Sequence, residues 1–265
     1  MTSLDGLSHV RLEGDVLRIA IATADNGTSL DFDGVSQGTT ALQAVAAGTL
    51  AARSVLLIGE GANFCAGGNV RAFAAAENRG EFVDYLARTL HDFVRAIDAV
   101  EIPVIAAVQG WAAGAGMSLV CTSDVSIGGP STKLRPAYPS IGYTPDGGMS
   151  WTLPRIVGIA KAREILLTDA IIGGDEAVRL GILSRLVGDD EIREEALRVA
   201  RTLAAGPTAA YAGIKRLLAQ SGQRSLSEQL DAETASISAA AAGPTGREGV
   251  DAFVEKRRAD FSAGQ

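Results

Sequence analysis

Alternating hydrophobic and polar positions near the start of the chain predict two short strands within residues 9–22. Residues 54–60 and 103–109 are almost continuously apolar, which is typical of strands buried on both faces. Between these two segments, Phe82, Leu86, Phe93 and Ile97 recur at close to helical spacing within residues 81–98. Strands that alternate with helices in this way predict an α/β fold.

The pattern changes after about residue 190, where successive segments predict helices that each end at Gly or Gly-Pro. We therefore divide the chain into a core, residues 1–190, and a helical C-terminal region, residues 191–265. The uncharged run 102–121 has roughly the 20-residue length of a membrane span. Because Pro103, Gln109 and several glycines interrupt it, we predict a buried strand, a glycine-rich turn and a buried helix instead.

Composition and charge exclude several classes of function. The formal net charge of −7 and the aromatic content of 5% argue against a nucleic-acid partner. Cys65 and Cys121 have neither CxxC nor Cys/His spacing, which argues against a disulfide scaffold and a structural zinc site. The first residues lack the order of basic and apolar positions that marks a signal peptide. We expect a cytoplasmic protein with no metal and no membrane partner.

Two glycine-rich turns, "GEGANFCAGGNVRAF" and "GWAAGAGMSLV", each follow an apolar strand and lead into a predicted helix. Side by side, such turns present free backbone N–H groups at helix N-termini, which is the arrangement of an oxyanion hole. The alternative is that small residues only allow tight turns. Neither turn has the G-x-G-x-x-G spacing of a dinucleotide-binding loop.

The motifs "FCAGGN", "GWAAGAGMSLV", "IGYTPDGG" and "GREGVDAFVEKRRADF" occur in this order. Over roughly residues 10–261, the chain resembles the crotonase superfamily, also called the enoyl-CoA hydratase/isomerase family. The resemblance implies a ββα spiral core with a C-terminal helical trimerisation region, assembled as a homotrimer or a dimer of trimers. It also implies acyl-CoA thioester substrates, an enolate held by the N–H groups of Gly68 and Ala115, and no cofactor beyond the coenzyme A moiety of the substrate.

The type of reaction depends on which carboxylates are present. Family hydratases use two glutamates, and Ser118 and Tyr138 occupy the corresponding positions, where we expect them to shape the acyl pocket or donate a hydrogen bond. Asp146, in a Pro-Asp-Gly-Gly sequence, resembles the aspartate of family isomerases, most closely the ring 1,2-epoxyphenylacetyl-CoA isomerases. Moving a double bond needs a single acid/base, and we predict that Asp146 is this group. The alternative is a turn residue, because Pro-Asp-Gly is a common turn sequence.

The resemblance assigns CoA binding to Ala66 and to Lys256 and Arg257 of the C-terminal "EKRR", which could also reach a neighbouring subunit. A solvated helix end is the competing interpretation of this tail. An acidic segment, residues 23–34, replaces an early family segment with a basic residue near it. This replacement favours altered contacts to the adenine and phosphates of CoA.

The remaining candidate residues have simpler interpretations. We expect His9 and His91 to be structural or exposed, Cys65 to fill space, and Trp111 and Trp151 to be core residues. Two other functions stay open at this point: a hydratase, hydrolase or dehalogenase on the same fold, and an acyl-CoA-binding protein without catalysis.

Overall fold

The computed structural model describes Leu4 and residues 6–261. The strands are β1 (Val10–Glu13), β2 (Val16–Ala22), β3 (Ser54–Gly59), β4 (Val104–Val108), β5 (Trp111–Ala113), β6 (Val125–Gly128), β7 (Lys133–Arg135), β8 (Ile172–Gly173) and β9 (Arg185–Leu186). The helices are α1 (Phe32–Ala46), α2 (Val70–Ala75), α3 (Arg79–Ala99), α4 (Ala115–Thr122), α5 (Met149–Val157), α6 (Ile159–Thr168), α7 (Gly174–Arg179), α8 (Ile192–Ala204), α9 (Thr208–Ser221), α10 (Leu226–Ala242) and α11 (Pro244–Val254). The strands and helices predicted from hydrophobic spacing are thus confirmed.

Six strands form the main sheet in the order β1-β2-β3-β4-β6-β9. β1 pairs antiparallel with β2, and each later neighbour in the sheet is parallel. Helical crossovers between parallel strands bring the carboxyl ends of β3 and β4 to the same edge, where the two glycine-rich turns begin. The order of the strands therefore places the two turns side by side.

A second, smaller sheet has the order β5-β7-β8. The sequence predicted only a turn where β5 lies, because three residues are too few to produce a recognisable alternation. β5 pairs in parallel with β7, and Ala112 within it also forms a β-bridge with Cys65 of the first turn. The run 102–121 consequently contains β4, β5 and the buried helix α4. In the described part of the chain, no helix is long and apolar enough to cross a membrane.

Both faces of the main sheet are buried, which explains why its central strands are continuously apolar. On one face, Leu57 and its neighbours pack with Phe93 and Ile97 of α3. On the other face, Ile58 and Ile105 lie in the cluster that contains Ala196 of α8. Helix α8 therefore covers the sheet although it follows residue 190. The division of the chain into residues 1–190 and 191–265 stays a prediction.

Helices α9, α10 and α11 form a further layer with a large apolar groove of about 1240 Å³. Several of its apolar side chains are exposed in the single chain, among them Ile214, Leu230, Ile237 and Val250.

The prediction that both tryptophans are core residues is wrong for Trp151, whose exposed fraction is 50%. Helix α5 buries Met149 and Leu153 instead, and the guanidinium of Arg155 lies 3.6 Å from the centroid of the Trp151 ring. Trp111 is only partly buried.

Candidate active site

A cavity of about 670 Å³ opens where the two glycine-rich turns, helix α3 and the loop around residue 140 meet. Five of the residues predicted to act at the site line it: Ala66, Gly68, Ala115, Tyr138 and Asp146. Apolar side chains form much of the remaining wall, including Phe73, Val83, Leu86 and Leu90. Residues separated by some 80 positions in the sequence therefore share one concave surface.

The two turns pack directly on each other because glycines leave room for backbone contact. Gly67 and Gly114 have φ of +93° and +52°, and a Cβ on Gly114 would lie 3.7 Å from the Cα of Gly67. A Cβ on Gly116 would lie 2.5 Å from the carbonyl oxygen of Cys65. The Cys65 N–H donates to the carbonyl of Trp111 at 3.0 Å, so hydrogen bonds hold the turns at this close distance.

The backbone N–H groups of Gly68 and Ala115 have no hydrogen-bond acceptor among the described residues. Ala115 is the first residue of α4, where N–H groups have no partner within the helix and the helix dipole favours negative charge. The ring of Phe73 packs against Gly68, since a Cβ on that glycine would lie 2.5 Å from the ring. Two free donors on one apolar cavity can stabilise an oxyanion.

Tyr138 and Asp146 form the central polar contact of the cavity. The Tyr138 hydroxyl donates to Oδ1 of Asp146 at 2.7 Å, while Oδ2 has no donor within the described chain. The Tyr138 side chain is buried, and burial together with the negative charge of Asp146 raises the pKa of its phenol well above the usual range. The phenol therefore stays protonated and donates to the carboxylate.

The Asp146 carboxylate does not form the hydrogen bonds of a turn aspartate. Its backbone carbonyl, not its side chain, accepts from the N–H of Met149, at 3.1 Å. Gly147 and Gly148 provide the left-handed conformations of the turn, with φ of +58° and +80°. The N–H of Gly147 donates to Nε2 of His91 at 3.2 Å, so this histidine supports the turn. The carboxylate is thus left for other contacts.

Ser118 is not among the described residues that line the cavity, and of its two predicted roles its contacts fit the hydrogen-bonding one. It is completely buried in α4, because Gly147 packs closely over it: a Cβ on Gly147 would lie 2.9 Å from the Ser118 Cβ. The Ser118 Oγ lies 3.2 Å from the Tyr138 hydroxyl and 3.1 Å from the Asp146 carbonyl oxygen. Ser118 therefore contacts the two residues from inside the protein.

Asp169 fixes the chain next to Tyr138, and the sequence analysis missed it. Its carboxylate accepts from the Ala137 N–H at 2.7 Å and from the Arg135 guanidinium. Burial would raise the pKa of Asp169, but these hydrogen bonds outweigh burial and hold the pKa below its usual range. Ala137 adopts φ of +60°, an unusual conformation for alanine. No local motif signals a contact across 32 residues.

The predicted cations of the C-terminal tail, Lys256 and Arg257, are not among the described residues that line the cavity. Arg257 forms ion pairs with Glu248 and Glu255, and Lys256 is exposed. Their role in CoA binding stays a prediction. The cavity instead contains Arg79, the first residue of α3, which the sequence analysis did not single out. The Asn78 cap before it was the available signal for this helix start.

Cys65 and His9 have structural positions, as expected. Burial raises the pKa of the Cys65 thiol to about 12, so a reactive thiolate does not form near neutral pH. His9 contacts Ser8, and its Nε2 lies 3.5 Å from Asp31; neither His9 nor Asp31 is among the described residues that line the cavity.

Two free backbone donors and the one carboxylate of the described lining thus share an apolar cavity on this α/β fold. The sequence profile of the enoyl-CoA hydratase/isomerase family matches residues 20–264, and the chain belongs to this family.

Named relatives include members with different reactions. A protein of Rhodobacter capsulatus named probable enoyl-CoA hydratase is 38% identical, covering 80% of this chain and 81% of its own. The 1,2-epoxyphenylacetyl-CoA isomerase of Escherichia coli is 34% identical, covering 79% of this chain and 81% of its own. A crystal structure of an enoyl-CoA hydratase from Polaromonas sp. JS666 is 32% identical, with a TM-score of 0.88, covering 95% of this chain and 98% of its own.

Proposed function

We propose that the protein is an acyl-CoA isomerase that moves a double bond, or rearranges a ring-derived acyl group, through a thioester enolate. The observation that carries this proposal is the composition of the cavity. Among the described residues that line it, Asp146 is the one carboxylate, and the free N–H groups of Gly68 and Ala115 belong to the same cavity. A single acid/base is sufficient for double-bond migration, whereas hydration also has to activate a water molecule.

In the proposed reaction, Oδ2 of Asp146 removes a proton from C2 of a 3-enoyl-CoA. The electrons of the C–H bond form the enolate, and the N–H groups of Gly68 and Ala115 stabilise the charge on the thioester oxygen. The protonated Asp146 then returns the proton to C4. The 3,4 double bond becomes a 2,3 double bond, and the carboxylate is regenerated.

Hydration is the second candidate function, because several named relatives are hydratases. The contacts of Ser118 and Tyr138 favour isomerisation. The Tyr138 phenol donates to Asp146, and its raised pKa disfavours a role as a base. Ser118 is completely buried, and its hydroxyl contacts the carbonyl oxygens of Gly114 and Asp146 and the Tyr138 hydroxyl. Neither group is placed to activate water in the cavity. The isomerase name of the Escherichia coli relative also supports the proposal.

Coenzyme A binding and oligomerisation complete the proposal. Ala66 is an exposed residue of the first turn; its N–H donates to the Thr28 carbonyl, so its own carbonyl oxygen is the backbone group that can contact the CoA moiety. The exposed apolar side chains of α9, α10 and α11 support self-association, for which the family resemblance implies a homotrimer or a dimer of trimers. In such an assembly Lys256 and Arg257 serve the CoA phosphates of a neighbouring subunit. The two cysteines are free, which is compatible with the cytoplasm.

The experiment that tests the proposal compares wild type with Asp146→Asn on 3-enoyl-CoA isomerisation. Asparagine has the shape of the aspartate but cannot take up the proton. We expect kcat to fall by about 10²- to 10⁴-fold, the usual effect of losing a general acid/base. Asp84→Asn is the matched control, because Asp84 is an exposed carboxylate of α3 paired with Arg88. Wild-type activity in Asp146→Asn would refute the proposal, and tight CoA binding with no turnover by wild type would favour a binding protein.

A further inference from the structure

We propose that Tyr138 is a positioning residue that holds the Asp146 carboxylate in one orientation and leaves Oδ2 as the oxygen available to the substrate. This inference rests on the proposed function, because it assigns a role to Tyr138 that acts through Asp146. Tyr138 is not proposed to exchange a proton with the substrate.

Ser118, Tyr138 and Asp146 form a cluster in which each hydroxyl has a single hydrogen, and this limits the possible directions of the hydrogen bonds. The Tyr138 hydroxyl has one hydrogen, and Oδ1 of Asp146, at 2.7 Å, is a nearer acceptor than the Asp146 carbonyl oxygen at 3.5 Å. The oxygen of the phenol is then free to accept from the Ser118 hydroxyl, 3.2 Å away. The Ser118 hydroxyl also has one hydrogen, and its nearest acceptor is the Asp146 carbonyl oxygen at 3.1 Å, so Ser118 contacts both the phenol and the backbone of the residue that the phenol holds.

Burial and backbone hydrogen bonds keep the Tyr138 hydroxyl from turning to another hydrogen-bond acceptor. Its side chain is buried, and the raised pKa keeps its proton in place across the accessible pH range. The carbonyl of Tyr138 accepts from the N–H groups of Ile141 and Tyr143, at 3.1 and 3.0 Å. Asp169 holds the preceding residue, Ala137. The donor is therefore fixed through both its backbone and its environment, and this fixation is what a positioning residue requires.

The hydrogen bond from Tyr138 restricts rotation of the Asp146 carboxylate about its terminal torsion, so the reaction does not have to restrict this rotation itself. The terminal torsion of aspartate is broad and roughly two-fold, so an unheld carboxylate exchanges its two oxygens. The bond to Oδ1 removes this freedom before the substrate binds. The contribution of Tyr138 should therefore be seen in kcat and not in KM, because the phenol acts on the carboxylate and not on the bound thioester.

The test is a double-mutant cycle of Tyr138→Phe and Asp146→Asn, assayed on 3-enoyl-CoA with enough enzyme to measure residual turnover. We expect Tyr138→Phe to lower kcat by about 10- to 100-fold, with KM changed by less than about 3-fold. In the Asp146→Asn background the same substitution should have no further effect, since it acts through the carboxylate. Tyr85→Phe is the matched control, because Tyr85 is an exposed tyrosine of α3 outside the cavity lining.

Ser118→Ala is the second variant, and it keeps the phenol while removing the buried hydroxyl that contacts it. We expect it to lower kcat in the same direction but by less than Tyr138→Phe. Equal losses from Tyr138→Phe in both backgrounds would overturn the inference, because they would indicate a direct contact with the substrate. A Tyr138→Phe variant with wild-type kcat, beside an inactive Asp146→Asn, would overturn it while leaving the proposed function intact. Full activity in Asp146→Asn would instead overturn the proposed function.

Discussion

The contact between the two glycine-rich turns can be tested by adding one methyl group. In Gly116→Ala, the new Cβ would lie 2.5 Å from the carbonyl oxygen of Cys65 and 2.8 Å from its Cβ. Neither atom can move independently, because the Cys65 backbone is hydrogen bonded to Trp111 and Ala113. The whole first turn must therefore move away from α4.

The size of the effect follows from these distances. Ordinary contacts between non-bonded carbon atoms are about 3.5–4.0 Å, so the turns must separate by roughly 1 Å. Alanine in place of a helical glycine would by itself stabilise α4 by about 0.5–1 kcal/mol, but overpacking costs about 1–3 kcal/mol. We expect a net loss of about 1–2 kcal/mol in the free energy of unfolding. A shift of this size in the paired donors Gly68 and Ala115 should lower kcat on the order of 10²-fold.

The assay combines urea unfolding with isomerase kinetics at a temperature well below the melting transition. Gly222→Ala is the control, because Gly222 has φ of −76° and nothing within 4 Å of its added Cβ. The control should retain activity. If Gly116→Ala is as stable and as active as wild type, the turns are not in the close contact that we describe.

Three further predictions address stability, reactivity and assembly. Asp169→Asn should lower the free energy of unfolding at pH 7 by about 1.5–3 kcal/mol through the lost charge-assisted bonds to Arg135. The pKa of Asp169 is lower in the folded protein than the value of about 3.9 expected in the unfolded chain. The ionised carboxylate therefore stabilises the fold above about pH 3.9, and this stabilisation is lost as the pH falls through the pKa of the folded state. The melting temperatures of wild type and Asp169→Asn should consequently converge in acid. Iodoacetamide at pH 7 should leave activity unchanged, since both Cys65 and Cys121 are buried with a pKa of about 12; rapid inactivation would contradict this. Ile237→Lys places a charge in the apolar groove of α9–α11, which the proposed assembly would bury. The molar mass measured by light scattering should fall towards the 27.3 kDa of one chain. An unchanged molar mass would place the interface elsewhere.

Hydrophobic spacing was sufficient to predict four strands of the main sheet, β1 to β4, and helix α3, but not α1, β6 or β9. Long apolar segments such as β3 and β4 are buried on both faces, and a strand in this position tolerates few polar residues. The association of Gly68, Ala115 and Asp146 with one site came from the resemblance and not from spacing, since the three belong to different segments. The structure places them around one cavity.

The features that the sequence analysis missed depend on contacts between distant segments. Strand β5 forms because it pairs with β7 and with Cys65. Its three residues are too few for these pairings to be predicted from their sequence. Trp151 points outwards although its side chain is large and apolar, because the face that α5 buries is determined by neighbouring elements. In the sequence, Asp169 is indistinguishable from any polar residue at the end of a helix. Its contacts to Ala137 and Arg135 depend on the fold, which brings segments more than 30 residues apart together.

The most direct test of the central claim is the ratio of two activities of the wild-type protein. We would measure kcat/KM for isomerisation of a 3-enoyl-CoA and for hydration of the 2-enoyl-CoA of the same chain length. With a single carboxylate in the described lining of the cavity, and with Tyr138 donating to that carboxylate, isomerisation should exceed hydration by at least about 10²-fold, the contribution of one missing acid/base. Hydration equal to or faster than isomerisation would contradict the account, because it would require a second acid/base that activates water.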